Sequence, residues 1–302
     1  MVELKGYRKY AAYAAVFLAA FVLAFRQTFP AEAVRARLAA EAAAQGWQLK
    51  AADAGPAGLI GVRLTGVTAE SREGVRVPVE ELRTSLRILP LVLGRRGVDF
   101  DARLYGGRVR GVAEETRSTR RLAATVTGVN LAQAAAIQKL TGLDLAGTLG
   151  GTLDVTLDVR EPARSRGSVD LRLEKGALMG GQIQLAAFGG ALTLPRADLG
   201  SVVAQATVKD GKASFERLEA KGPDLELAGE GLAVTLQPRL AYSPLFGKAR
   251  LKLADGFWQK SGTTALRGVA EAALAQARGR DGAYWFQLYG TVSSPQARAG
   301  GG

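Results

Sequence analysis

The chain of 302 residues contains no cysteine and no histidine. The first absence removes disulfide frameworks, thiolate nucleophiles and Cys-ligated metals, without fixing a compartment. The second removes the commonest general base near neutral pH and the commonest metal ligand. Aromatics are sparse at 7%, and there are only 10 prolines and 2 methionines. No Pro- or Ser-rich linker divides the body of the chain, which argues for one large domain.

What is abundant is alanine, glycine and arginine. The net charge of +12 divides into a surplus of 8 in residues 1–130 (20 basic, 12 acidic) and of 4 in the remainder (20 and 16). Arg63, Arg83, Arg87, Arg103, Arg108 and Arg110 are scattered through alternating segments and form no basic helix or stripe. No aromatic-interleaved basic motif accompanies them, so no nucleic-acid site is expected. A solvated surface, or one facing anionic headgroups, accounts for the charge.

One uncharged run stands out, YAAYAAVFLAAFVLAF, from Tyr10 to Phe25. Sixteen helical residues rise ~24 Å, a little short of the ~30 Å hydrocarbon core of a bilayer. Interfacial Tyr7, Tyr10 and Tyr13, with snorkelling Arg26, make up the difference. Val16, Phe17, Leu18, Phe21, Val22, Leu23 and Phe25 supply the apolar surface of this expected transmembrane helix, residues 10–26. Lys5, Arg8 and Lys9 set its topology, with residues 1–9 cytoplasmic and the bulk across the membrane. A cleaved signal peptide is the rival reading, because Ala31-Glu32-Ala33 resembles a cleavage site. Eight residues separate the apolar run from such a cut, which favours the uncleaved anchor. An Ala-rich connector, residues 27–46, follows with Val34, Leu38 and Ala42 at helical spacing.

From Trp47 to about residue 295 the dominant period is two. Leu153, Val155, Leu157 and Val159 alternate with Thr152, Asp154, Thr156 and Asp158; Val169, Leu171 and Leu173 alternate with Asp170, Arg172 and Glu174. The fold class expected is mainly β: an elongated, curved antiparallel sheet, apolar on one face and wet on the other, with few short helices. Turns are expected at Glu174-Lys175-Gly176, Lys209-Asp210-Gly211 and Gly222-Pro223, and bends or bulges at Gly229 and Gly231. Helices are expected after Asn130, ending at Gly142, and across 263–282, and residues 89–96 read as a short helical corner or a strand edge. Residues 296–302 read as a disordered tail.

Candidate chemistry is thin. Gly229-Glu230-Gly231 is followed by a strand-like AVTL where a dinucleotide fingerprint requires a helix. Gly147, Gly150 and Gly151 lack the Lys-Ser/Thr of a phosphate loop. Glu80/Glu81 and Glu114/Glu115 are sequence neighbours and in strands diverge to opposite faces. Asp154 and Asp158 share a face, as do Asp224 and Glu226, and a charged outer face explains both pairs. Trp258, Tyr284, Trp285 and Tyr289 read as core packing or as the lining of a lipid or partner groove. No enzyme, cofactor or metal site is expected.

Four segments carry a resemblance: VEELRTSLRILPLVLGRRGVDFDARLYGGRVRG (79–111), NLAQAAAIQKLTGLDLAGTLGGTLDVTL (130–157), LEAKGPDLELAGEGLAVTL (218–236) and DGAYWFQLYGTVSSPQA (281–297). In this order, behind an N-terminal anchor, they resemble the type II secretion system protein N family of the delta-proteobacterial kind, within the AsmA-like group. The resemblance implies a non-enzymatic, single-pass inner-membrane protein with a periplasmic β domain. Its partners would be other type II secretion components. AsmA-like relatives also imply an alternative, lipid binding and transfer in which acyl chains lie on the apolar face of the sheet.

Overall fold

The computed structural model describes residues 30–44, 46–58, 60–72, 74–87, 95–185, 190–237, 239–260, 263, 267–268 and 274–300. Sixteen strands form a single antiparallel sheet. They are β1 (Trp47–Lys50), β2 (Asp53–Pro56), β3 (Gly61–Ser71), β4 (Arg76–Leu86), β5 (Arg96–Leu104), β6 (Gly107–Glu115), β7 (Thr119–Asn130) and β8 (Leu143–Asp158). They continue as β9 (Arg166–Leu185), β10 (Gly190–Leu194), β11 (Ala197–Lys209), β12 (Lys212–Lys221), β13 (Leu225–Thr235), β14 (Leu245–Leu253), β15 (Tyr284–Thr291) and β16 (Ser294–Ala299). Apart from β1 and β2, and β10 and β11, which do not pair with each other, strands adjacent in sequence are paired. β1 and β2 share one lane beside β3, and β10 and β11 share one beside β9. The sheet curls enough to bring part of β16 close to β9.

Local chemistry explains the connections. Asp210 and Gly211 have φ of 51° and 71°, so the β11–β12 turn has positive φ at both central positions, the preference of tight hairpins. Gly231, at φ 58°, sits where the β13–β14 register shifts between Glu230 and Ala233. The extra residue is the expected bulge, and it brings both Leu232 and Ala233 to buried positions. Asn130 caps a 3₁₀ turn (Leu131–Gln133) by accepting from Ala132 N–H at 3.0 Å. The chain then turns at Ala134 into helix α2 (Ala135–Thr141), closed by left-handed Gly142. Helix α1 (Ala31–Ala44) fills the expected connector, and α3 (Asp255–Trp258) is a single turn.

Four expectations are corrected. Glu174-Lys175-Gly176 is no turn, because β9 runs through it from Arg166 to Leu185. Left-handed Lys175 marks a bulge there, opposite register shifts in both β8 and β11. The tail is ordered as far as Ala299 because β16 pairs with β15 from Ser294↔Thr291 to Ala299↔Phe286. A continuous helix over 263–282 does not form at its C-terminal part. Ala275–Ala277 make one 3₁₀ turn and Arg278 bridges Tyr284, because Ala277 is drawn fully into the core. Asp224 does not face solvent, as detailed below. The corner or strand edge expected at 89–96 falls mostly outside the described residues.

Three segments outside the sheet cover its apolar face, and all three join the strands at the same end. Leu38 of α1 packs with Leu64, Val67 and Val79. The 131–142 connection lays Leu131, Ala134 and Ile137 over Tyr105, Val126 and Leu173. The 254–283 connection sets Phe257 and Trp258 against Leu143, Leu178 and Leu225, and Leu274 and Ala277 against Leu251 and Tyr284.

Candidate functional site

The expected anchor, with Tyr10, Tyr13, Val16, Phe17, Leu18, Phe21, Val22, Leu23 and Phe25, lies outside the described residues, as do Lys5, Arg8 and Lys9. Among the described residues no helix is long and apolar enough to cross a membrane. Nor do the described residues contain a group of three or more potential metal-ligating side chains. The site must therefore be sought on the two faces of the sheet.

The polar face is a lattice of arginine and carboxylate. Asp101 on β5 accepts from Arg108 Nε at 2.6 Å and from Arg108 Nη2, with Arg110 Nε at 3.1 Å. Arg121 on β7 grips Asp154 on β8 through two bonds of 3.0 and 2.8 Å. Glu81 lies among Arg83, Arg63 and Arg103 at 2.8, 3.2 and 3.6 Å. Hydrogen bonds from Arg108, Arg121 and Arg83 hold the Asp101, Asp154 and Glu81 carboxyls below the usual range, against a smaller opposing effect of desolvation. Asp158 is lowered differently, by the N–H groups of Glu161 and Arg160 at the β8–β9 loop. Each of these carboxylates is held ionised by donors, the opposite of what a general acid needs. Asp154 and Asp158 share a strand but serve different partners. Glu80 is exposed, whereas Glu81 is half-buried on the other face.

Asp224 carries the largest departure from expectation. It is 4% exposed at the β12–β13 turn, accepting from Asp198 N–H at 2.6 Å and from Lys260 Nζ. Burial works against its charge, but the Lys260 ammonium and the Asp198 N–H outweigh it and hold the carboxyl below its ordinary value. Ala254 N–H donates to the Asp224 carbonyl at 2.9 Å. Buried Thr263 places its hydroxyl 2.6 Å from the Phe257 carbonyl. Asp224 is thus a latch that ties the 254–283 cover to the sheet. Trp258 and Tyr284 are core, at 9% and 6% exposure.

The apolar face divides in two. The 131–142 and 254–283 covers reach only the half nearest the end where they join the strands, whereas α1 extends along the outermost lanes as far as Leu64 and Val62. Toward the opposite end an uncharged row crosses the sheet through directly paired positions, Leu86↔Val98, Val98↔Ala113, Ala113↔Leu122 and Leu122↔Val155. It continues through Gly167, Val208, Ala213 and Val234 to Leu245. Directly opposed residues share a face. None of the four buried clusters contains a residue of this row. Val208 is 6% exposed where the sheet curls, yet Leu86 and Leu122 stand 54% and 43% exposed. The open part of the face therefore lies over β4–β8. Mid-sheet β8 has no fully buried residue in its sixteen positions. Alternation within each strand signalled this face, but the row itself depends on registers that the sequence does not spell out.

No family model, no curated protein and no solved structure matches this chain.

Proposed function

We propose that the protein is a non-enzymatic component of a type II protein secretion system, anchored in the inner membrane with its sheet in the periplasm. It acts in assembly or support of the secretion machinery. The observation that carries this reading is the open sheet, whose two outer lanes, β1/β2 and β16, each pair with the sheet on one side only. A sheet edge offers backbone donors and acceptors to a partner by strand addition. The four resembling segments support the same reading by falling on successive elements: β4–β6, α2–β8, β12–β13 and β15–β16. Deleting the gene and assaying enzymes exported into the medium is the test, and undiminished export would sink the proposal.

A second reading rests on the exposed row at Leu86 and Leu122. An apolar half-face left open beside a covered one suits an acyl chain, as in AsmA-like lipid binding and transfer. Native mass spectrometry of the chain released from lipid discs distinguishes this reading, since it requires stoichiometric phospholipid retained on the protein.

A further inference from the structure

The antiparallel order sends every second connection to the same end of the strands. The end opposite the covers carries the 57–60, 87–95, 116–118, 159–165, 210–211, 236–244 and 292–293 connections. This rim combines two properties not concentrated elsewhere on the described surface. First, six of the nine large apolar residues that stand exposed are here. Ile60 and Leu86 lie together toward one side, where Leu86 N–H donates to the Ile60 carbonyl at 3.3 Å. Leu240, Tyr242 (62% exposed), Phe246 and Val292 lie toward the other, joined by the Pro244↔Thr291 bridge.

Second, the connections between these apolar groups carry exposed cations whose side chains form no salt bridge with a carboxylate among the described residues. Arg95 and Arg96 precede or open β5, and Arg117 lies between β6 and β7. Arg160 and Arg166 flank the β8–β9 loop, Lys209 ends β11, and Arg239 precedes Leu240. Counting each connection with one flanking residue on either side, the rim holds ten Lys and Arg against Glu115, Asp158, Glu161 and Asp210. The cations are thus spread along a line of strand ends instead of gathered in a pocket.

We propose that this rim rests on an anionic lipid surface, its arginines and lysine among the headgroups and its aromatic and aliphatic tips at the level of the interface. A row of cations interrupted by Tyr, Phe and Leu matches the layered chemistry of a bilayer boundary, with negative headgroups above apolar chains. At ~4.8 Å per lane, the ten spacings from β3 to β14 give a contact line of up to ~48 Å along the sheet. Helix α1 runs antiparallel to β1 and β2, with Arg35 donating to the Ala52 carbonyl. Its first residue, Ala31, therefore lies toward the rim. The exposed row at Leu86 begins at the same edge. The proposal agrees with the membrane-anchored reading above but stands on the rim's own residues.

The absence of cysteine makes the test clean. The full chain carrying Val292→Cys at the rim, or Pro223→Cys at the opposite end, is labelled with an environment-sensitive fluorophore. It is then reconstituted in discs of phosphatidylcholine with or without phosphatidylglycerol, containing headgroup-level quencher lipids. The rim label should be quenched several-fold more than the Pro223 label, and only with phosphatidylglycerol. The combined Arg117→Glu, Arg160→Glu, Arg166→Glu and Arg239→Glu variant, its melting temperature unchanged, should lose that contrast, as should the wild-type chain at high salt. Equal quenching of both labels, or quenching indifferent to phosphatidylglycerol, overturns the proposal even when the chain is retained in the discs. A chain that leaves the discs yet floats with phosphatidylglycerol vesicles supports the rim and counts against the anchor. One that binds neither overturns both.

Discussion

At one end of the strands the connections are long and fold inward, carrying Leu131, Ile137, Phe257 and Trp258 onto the apolar face. At the other, no described connection is folded over that face as a cover, and Leu86 and Tyr242 stand more than half exposed. The same alternating strands run between them. The difference teaches that a strand's pattern only nominates an apolar face. Whether that face becomes core or remains available is decided by what the connections bring to it.

Changes at the covered end should produce the largest effects. Trp258→Ala removes a buried ring that meets Phe257 edge-on, with centroids 5.1 Å apart, and should cost about 3–5 kcal/mol, read as a fall in the denaturant midpoint. Asp224→Ala strips a buried donor of its acceptor and leaves Lys260 without this carboxylate, for about 1–3 kcal/mol. Because the folded carboxyl is depressed, its contribution is full above the ordinary value of about 3.9 and is lost as pH falls through the lower folded value. Asp224→Asn should therefore flatten part of the acid-unfolding profile, and an unchanged profile would show that the latch is not ionised. At the open end, Leu122→Ala should change stability by less than about 1 kcal/mol, while lowering binding of an apolar dye to the native protein. A loss as large as that of Trp258 would mean that something covers the row. The smallest effect is expected at Tyr105, whose hydroxyl is buried without a hydrogen-bond partner among the described residues. Tyr105→Phe should be neutral or slightly stabilising in thermal melts, because no bond is lost.

Much of the fold was legible in the sequence. The period-two runs became strands, Asn130 and Gly142 bounded the helical connection, Lys209-Asp210-Gly211 turned and Gly231 bulged. Each of these is set by backbone rules acting over a few residues. Asp224 was misjudged because its surroundings come from Asp198 and Lys260, which are 26 and 36 residues away. Lys175 resembled a turn because left-handed geometry also serves a bulge, and only pairing on both sides of β9 distinguishes them. The end of β16, from Gln296 to Ala299, was hidden by its composition, since a short Gln-Ala-Arg-Ala run carries no apolar alternation to read. The candidate site was the least legible part. Leu86 and Leu122 are 36 positions apart and become neighbours in a row only through the intervening registers.

The spacing of the covers has a consequence for how such a chain can change length. Counting shared lanes once, six lanes separate α1 from the 131–142 connection (β1/β2 and β3 to β7), and six more separate that from the 254–283 connection (β8, β9, β10/β11 and β12 to β14). An even count returns each cover to the same end. Gain or loss of a whole hairpin preserves the arrangement, whereas one additional strand would deliver every later cover to the opposite side. Because pairing is between sequence neighbours, such a hairpin disturbs only the two lanes that receive it. The molecule is thus free to vary in length by twos and constrained against variation by ones.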